Sequence, residues 1–154
     1  LNPLFTFAVP GYNMRSTEVN AVLGLEQMKR LDNNIATRRR NLETWLGHLD
    51  PALYFINFQQ VGNSNFALPL LLQPNNLAMG NVCHLLEREG VEYRLGTAGG
   101  GNQARQPWLK KFNHRISGEL KNSNYIHKFG LYVGNHTELT SEQIIQLCGK
   151  LNQL

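Results

Sequence analysis

The sequence predicts an α+β sandwich, a small and mainly antiparallel sheet with helices covering one face. Three observations lead there. Residues 17–50 place apolar side chains at helical spacing, whereas "LYFINFQ" (53–59) and "FALPLLLQ" (66–73) read as strands. Beyond them, helical and strand signals are mixed up to a last amphipathic segment that starts at Thr140. The 154 residues fit one domain with a core of ordinary size.

Residues 1–15 read as an extended segment with a turn at Pro10-Gly11. Ser16 or Thr17 caps a helix carrying Val19, Val22, Leu23 and Met28 and ending near Arg30. Asp32 caps a second helix through Ile35, Leu42, Trp45 and Leu46, and "GHLDP" ends it at Pro51. The polar turn "VGNSN" separates the two predicted strands, and Pro69 confines the second to an edge or a bulge. A helix over 77–89 closes on Gly90, and "VEYRL" is a short strand. After the glycine-rich "LGTAGGGNQARQPW" come a helical turn over 107–112, a loop "NHRISGELKNSN", a short helix "YIHKF" and a strand "GLYVGN". Thr140, Ser141 and Gln143 form a capping-box pattern before Ile144, Ile145, Leu147, Cys148 and Leu151.

Composition narrows the function. Hydrophobic content of 42% and charged content of 17% belong to a folded protein. No apolar run approaches the roughly 20 residues of a membrane span, and the N-terminus has no signal-peptide pattern. The chain opens without Met in mid-phrase, so it is expected to be a piece of a longer protein. Cys83 and Cys148 fall at apolar helix positions and read as buried, reduced thiols of a cytoplasmic protein. The net charge of +4 is scattered, with one cluster at Arg38, Arg39 and Arg40. That cluster reads as a solvated helix face, and no aromatic residues interleave with it, so no nucleic-acid partner is expected.

Two phrases invite chemistry. The first holds Gly96, Gly99, Gly100 and Gly101, but lacks both the Lys-Ser/Thr ending of a P-loop and the GxGxxG spacing. It is either a plain surface loop or a cradle that lets backbone approach a ligand. The amides of Asn102 and Gln103 and the planar fork of Arg105 suit a sugar nucleotide. In the second phrase, Tyr12, Asn13 and Arg15 stand just before a helix start, a place for either an anion or simple capping. The five histidines have no metal-ligand spacing; His127 is a helix-surface residue or a ligand contact. With no GxSxG elbow and no Cys-His pair, the chain holds no complete catalytic apparatus.

Together these phrases resemble the DegT/DnrJ/EryC1/StrS sugar-nucleotide aminotransferase family, pyridoxal-phosphate enzymes of fold type I. Gly11-Tyr12-Asn13-Met14-Arg15 and "TEVNAVLGLEQMKRLD" (17–32) match its "GYN-x-R" and "TE-x-x-A-x-x-G-L-x-Q-x-K-R-L-D" phrase, with Met14 and Ser16 as free positions or mild departures. The resemblance runs on through "RRRN" to the C-terminus. "GTAGGGNQARQPW" and "YIHKFGLYVGNHTELT" are similar to the sugar 3-dehydratase branch of the colitose type, and an iron–sulfur relative shares "GN-x-x-RQP".

The resemblance implies a small C-terminal α+β domain, residues 51–154, preceded by linking helices in residues 1–50 that come from a larger cofactor-holding domain. It implies pyridoxal 5'-phosphate or pyridoxamine 5'-phosphate as cofactor, L-glutamate as amino donor and a nucleotide-linked 4-keto-6-deoxy sugar as substrate. The setting is deoxysugar synthesis for lipopolysaccharide. The parent is expected to be a homodimer in which Asn13 reaches the neighbouring subunit's cofactor phosphate, with Tyr12 and Arg15 close by. Asn102, Arg105, Gln106 and His127 would line the sugar side, with the glycine loop folded over the ligand. The residue that forms the aldimine, or the histidine that replaces it in the colitose-type enzymes, would lie upstream, so this piece alone is expected to be inactive. An ordinary 4-ketosugar aminotransferase, and a non-catalytic module that binds a sugar nucleotide or a protein, stay open as alternatives.

Overall fold

A computed structural model describes residues 6, 8, 11, 17–74, 77–96 and 101–154. Among the described residues five α-helices, α1 (Glu18–Met28), α2 (Leu31–His48), α3 (Met79–Arg88), α4 (Lys121–Phe129) and α5 (Ser141–Leu151), accompany three strands, β1 (Ala67–Leu71), β2 (Tyr93–Leu95) and β3 (Gly130–Gly134). The sheet is antiparallel in the order β1-β3-β2, so Pro69 does sit on an edge strand. The α+β class expected from the sequence is the class observed.

Local chemistry sets most boundaries. Thr17 caps α1 by accepting the Asn20 amide, and Thr140 and Gln143 exchange both bonds of a capping box at α5. Gly90, at φ +67°, closes α3: its amide bonds Glu87 O while the Val91 amide reaches back to Leu86 O. Asp32, by contrast, does not cap α2. That helix starts one residue earlier, at Leu31, with no side-chain cap, and Asp32 lies in its first turn facing the positive end of the dipole.

The strand expected over 53–59 shrinks to one bridge, Tyr54 to Leu72. Phe55 N donates to Leu71 O and Gln73 N to Leu53 O, and there the ladder stops. Two residues further along β1 stands Pro69, which has no N–H. Its carbonyl is already taken by the Trp45 indole, Nε1 to O 2.7 Å. A longer ladder would find neither donor nor acceptor at that point.

The core gathers Leu42, Trp45, Leu46 and Leu49 with Leu68 and Leu70 of β1, Leu131 and Val133 of β3, Val82, Leu85 and Leu86 of α3, and Ile144, Cys148 and Leu151 of α5. The second half of α2 thus belongs to this core. Tyr54 crosses it to donate to Leu151 O at 2.8 Å, and Lys150 of α5 pairs with Glu89 at the end of α3. That bond to Lys150 holds the Glu89 carboxyl below its ordinary range. In contrast α1 buries none of its residues, and Val19, Val22, Leu23, Leu25 and Met28 stand exposed.

A polar knot ties α2 to one end of the β1–β3 pair, where β1 starts and β3 finishes. Asn135 Nδ2 donates to Arg38 O (3.1 Å) and Asn65 O (2.8 Å), and its amide bonds Phe66 O. Asn41 Nδ2 donates to Asn135 Oδ1 (3.0 Å) and His136 O (3.2 Å). Both asparagines are buried. Asn135→Ala takes a partner from the buried Asn41 side chain and from the part-buried carbonyls of Arg38 and Asn65, and an unsatisfied buried group costs about 1–3 kcal/mol. Urea unfolding of the 154-residue chain should show a loss in that range; an unchanged midpoint would show the knot to be dispensable.

The three consecutive arginines are built into this architecture. Arg39 Nε donates to Asn63 O, Arg40 bonds Thr37, and Arg38 presents its carbonyl to Asn135. Cys148 is fully buried and Cys83 half-buried; both are free thiols. Burial pushes the Cys148 thiol up to about 12, which suits an inert core residue. Among the described residues no helix is long and apolar enough to cross a membrane, and no group of His, Cys, Asp or Glu could hold a metal ion.

Candidate functional site

The segment that follows β2 starts at Gly96, which is buried at φ +73° and donates its amide to Gly130 O at 2.8 Å. Residues 97–100, with Gly99 and Gly100 of the expected ligand cradle, lie outside the described residues. The chain resumes at Gly101, at φ +71°, where a Cβ would come within 2.4 Å of His127 Nδ1. Only glycine allows the backbone to lie this close to the imidazole.

Asn102 is the organising residue. Its amide donates to His127 Nδ1 (3.2 Å), which makes Nδ1 the unprotonated ring nitrogen. Its side-chain Nδ2 donates to Asn124 Oδ1 (2.9 Å), and its Oδ1 accepts the Ala104 amide (2.9 Å). Capped in this way, residues Gln103–Arg105 form a 3-10 turn, and a second turn, Pro107–Lys111, follows with Pro107 in its first position. The second matches the helical turn expected over 107–112.

The four described candidates differ in exposure. Asn102 and Gln106 are 6% and 1% exposed, His127 is half-buried, and Arg105 points its charge from the exposed end of the first turn. Asn102 and His127 are brought into contact. Tyr12, Asn13 and Arg15 lie outside the described residues, although the Thr17 cap behind them is in place.

Beside the turns opens a cleft of about 460 Å³, lined by Asn102, Trp108, Arg115, Ser117, Ser123 and Ile126 among others. It combines an aromatic face, a cation and hydroxyls, groups that suit a polar ligand with a flat ring. Sequence reasoning missed Arg115, Ser117, Ser123 and Asn124, because it took 113–124 for a loop. The helix that carries Asn124 begins at Lys121, without a side-chain cap and after Leu120 in a left-handed conformation, φ 52°. A helix start of that kind leaves no mark in the sequence; the spacing of Asn124 and His127, one turn apart, was the only available signal.

The sequence profile described as the DegT/DnrJ/EryC1/StrS aminotransferase family matches residues 3–152. The chain belongs to this family. Among curated relatives, the GDP-4-keto-6-deoxy-D-mannose 3-dehydratase of Yersinia pseudotuberculosis is 34% identical over 145 residues, 93% of this chain and 37% of that protein. Solved structures give the same picture. A GDP-4-keto-6-deoxymannose-3-dehydratase with a trapped PLP-glutamate geminal diamine superposes at TM-score 0.77 with 29% identity, over 94% of this chain and 38% of that one. A variant of such a dehydratase with bound GDP-perosamine gives TM-score 0.77 and 30% identity, over 96% and 38%. The chain therefore spans little more than a third of the length of these dehydratases and shares the α+β fold of the part it matches.

Proposed function

We propose that this chain is the C-terminal domain of a pyridoxal- or pyridoxamine-phosphate-dependent NDP-4-keto-6-deoxyhexose 3-dehydratase that works in cytoplasmic deoxysugar synthesis. Residues 1–50 link it to the cofactor-holding domain and residues 51–154 form the small domain, with the second half of α2 as the tie between them. The observation that carries the reading is the docked "GN-x-x-RQP" turn, Gly101 to Pro107, which buries Asn102 and Gln106 and leaves the Arg105 guanidinium exposed. The dehydratases that resemble this chain throughout its length support it.

In this reading the cofactor phosphate meets Asn13 of a second subunit, with Tyr12 and Arg15 nearby. The residue types suit that group: the sequence sets an amide side chain four positions ahead of Thr17, and the start of a helix such as α1 favours an anion through its dipole. When bound, the cofactor supplies the electron sink that lets the sugar's 3-hydroxyl leave, with L-glutamate as amino donor. This chain supplies binding and orientation. Arg105 offers its planar fork to an anionic group of the substrate, while Asn102, Gln106 and His127 line the sugar side from beneath and hold the turn.

The test is product analysis. Full-length protein given cofactor, glutamate and a 4-keto-6-deoxy sugar nucleotide should release a sugar that has lost its 3-hydroxyl, as read by mass spectrometry. A 4-amino sugar would instead assign the family's aminotransferase activity, and an unchanged substrate would overturn both.

A further inference from the structure

Arg105 is exposed, so something other than burial must aim it. Its amide bonds Asn102 O at 3.1 Å, and the turn it ends is capped by Asn102 Oδ1. Asn102 in turn is held at two points by one face of α4: Asn124 Oδ1 accepts its side chain and His127 Nδ1 accepts its amide. Gly101 rests against the same imidazole, in contact too close for any side chain. The helix is itself fixed, since the Tyr125 hydroxyl donates to Leu72 O, next to β1. A rigid path thus runs from the sheet through α4 to the turn that carries Arg105.

We propose that Asn124 and His127 are positioning residues for Arg105, acting through Asn102, a role that rests on the substrate contact proposed above for Arg105. Asn124 does this without touching the ligand, and His127 does it in addition to lining the sugar side. They keep the turn in its binding-competent form before substrate arrives. When that form is populated only in part, apparent affinity falls by the populated fraction while the bound complex still reacts normally. The signature is a raised KM with kcat preserved.

Asn124 is exposed, so its replacement leaves the core untouched. In the full-length protein Asn124→Leu should raise KM for the sugar nucleotide about tenfold, corresponding to a competent fraction of about one tenth, with kcat within about twofold. Asn124→Asp keeps an acceptor oxygen in the same place and should restore KM. Hydrogen exchange supplies a readout independent of turnover. The amides of Asn102 and Ala104 should exchange faster in Asn124→Leu and in His127→Leu. His127→Asn, which returns a polar atom to the Nδ1 position, should slow them again. Unchanged exchange in both leucine variants would overturn the proposal. So would faster exchange with KM unchanged, which would leave α4 a purely architectural support. If the parent protein turns over no 4-keto sugar nucleotide, the proposed function fails instead, and exchange alone decides whether α4 fixes Asn102.

Discussion

Trp45→Ala should remove about 3–5 kcal/mol of folding stability, the range for truncating a buried tryptophan. Trp45 is wholly buried, and its ring is shared by the helical and sheet layers of the core. It also carries two polar links. Its indole donates to Pro69 O at 2.7 Å, and its own carbonyl accepts the Cys148 thiol at 3.8 Å. Single domains hold only about 5–15 kcal/mol in total, so the variant should be near the limit of folding. Trp45→Phe separates the two contributions. It keeps most of the apolar contact but leaves the Pro69 carbonyl without its partner, a cost of about 1–3 kcal/mol. Urea titration of both variants checks the expectation. A loss below about 1 kcal/mol for alanine, far under the range for such truncations, would mean that the core is not organised around this side chain.

Arg105→Ala in the full-length protein should lower kcat/KM by about 10- to 100-fold. A hydrogen bond to a charged group is worth about 1.5–3 kcal/mol, and each 1.4 kcal/mol is tenfold. Because Arg105 is exposed, its loss removes no core packing, and thermal stability should be unaffected. Arg105→Lys keeps the charge but not the planar fork, and should recover only part of the rate. Steady-state kinetics with the nucleotide sugar decide the matter. Unchanged kinetics in the alanine variant would withdraw Arg105 from the site and leave the exposed turn without an assigned ligand contact.

How much was legible in the sequence depends on whether the deciding interaction was local. Thr17, Gly90, and Thr140 with Gln143 act on backbone within a few residues of themselves, and each marked its helix end correctly. Pro69 declared an edge strand because a missing N–H is a property of the residue alone. The short bridge at Tyr54 was not legible. Its length is set by the Trp45 indole on the Pro69 carbonyl, 24 positions apart in the chain. The Asn41–Asn135 bond spans 94 positions and leaves no periodic trace in either segment.

The site follows the same division. "GNQARQP" was singled out by composition, and the structure shows why it reads so oddly: it places a glycine against an imidazole and caps a turn with an asparagine. The supporting residue Asn124 was hidden because α4 starts with no capping side chain. The roles expected of Tyr12, Asn13 and Arg15 came from resemblance, and those residues lie outside the described part of the chain.

The closure of β1 has a consequence for how molecules of this protein meet. Along its outer side Leu71 O is taken by Phe55, Pro69 O by Trp45, and the Pro69 nitrogen can donate to nothing. The opposite margin, β2, is three residues long and carries the exposed, charged Arg94. An incoming strand from a second molecule therefore finds no continuous ladder to extend, so cross-β growth lacks a template in the described sheet. In the described part of the chain, association of two such molecules is left to side-chain surfaces, and α1 offers one in its exposed Val19, Val22, Leu23, Leu25 and Met28.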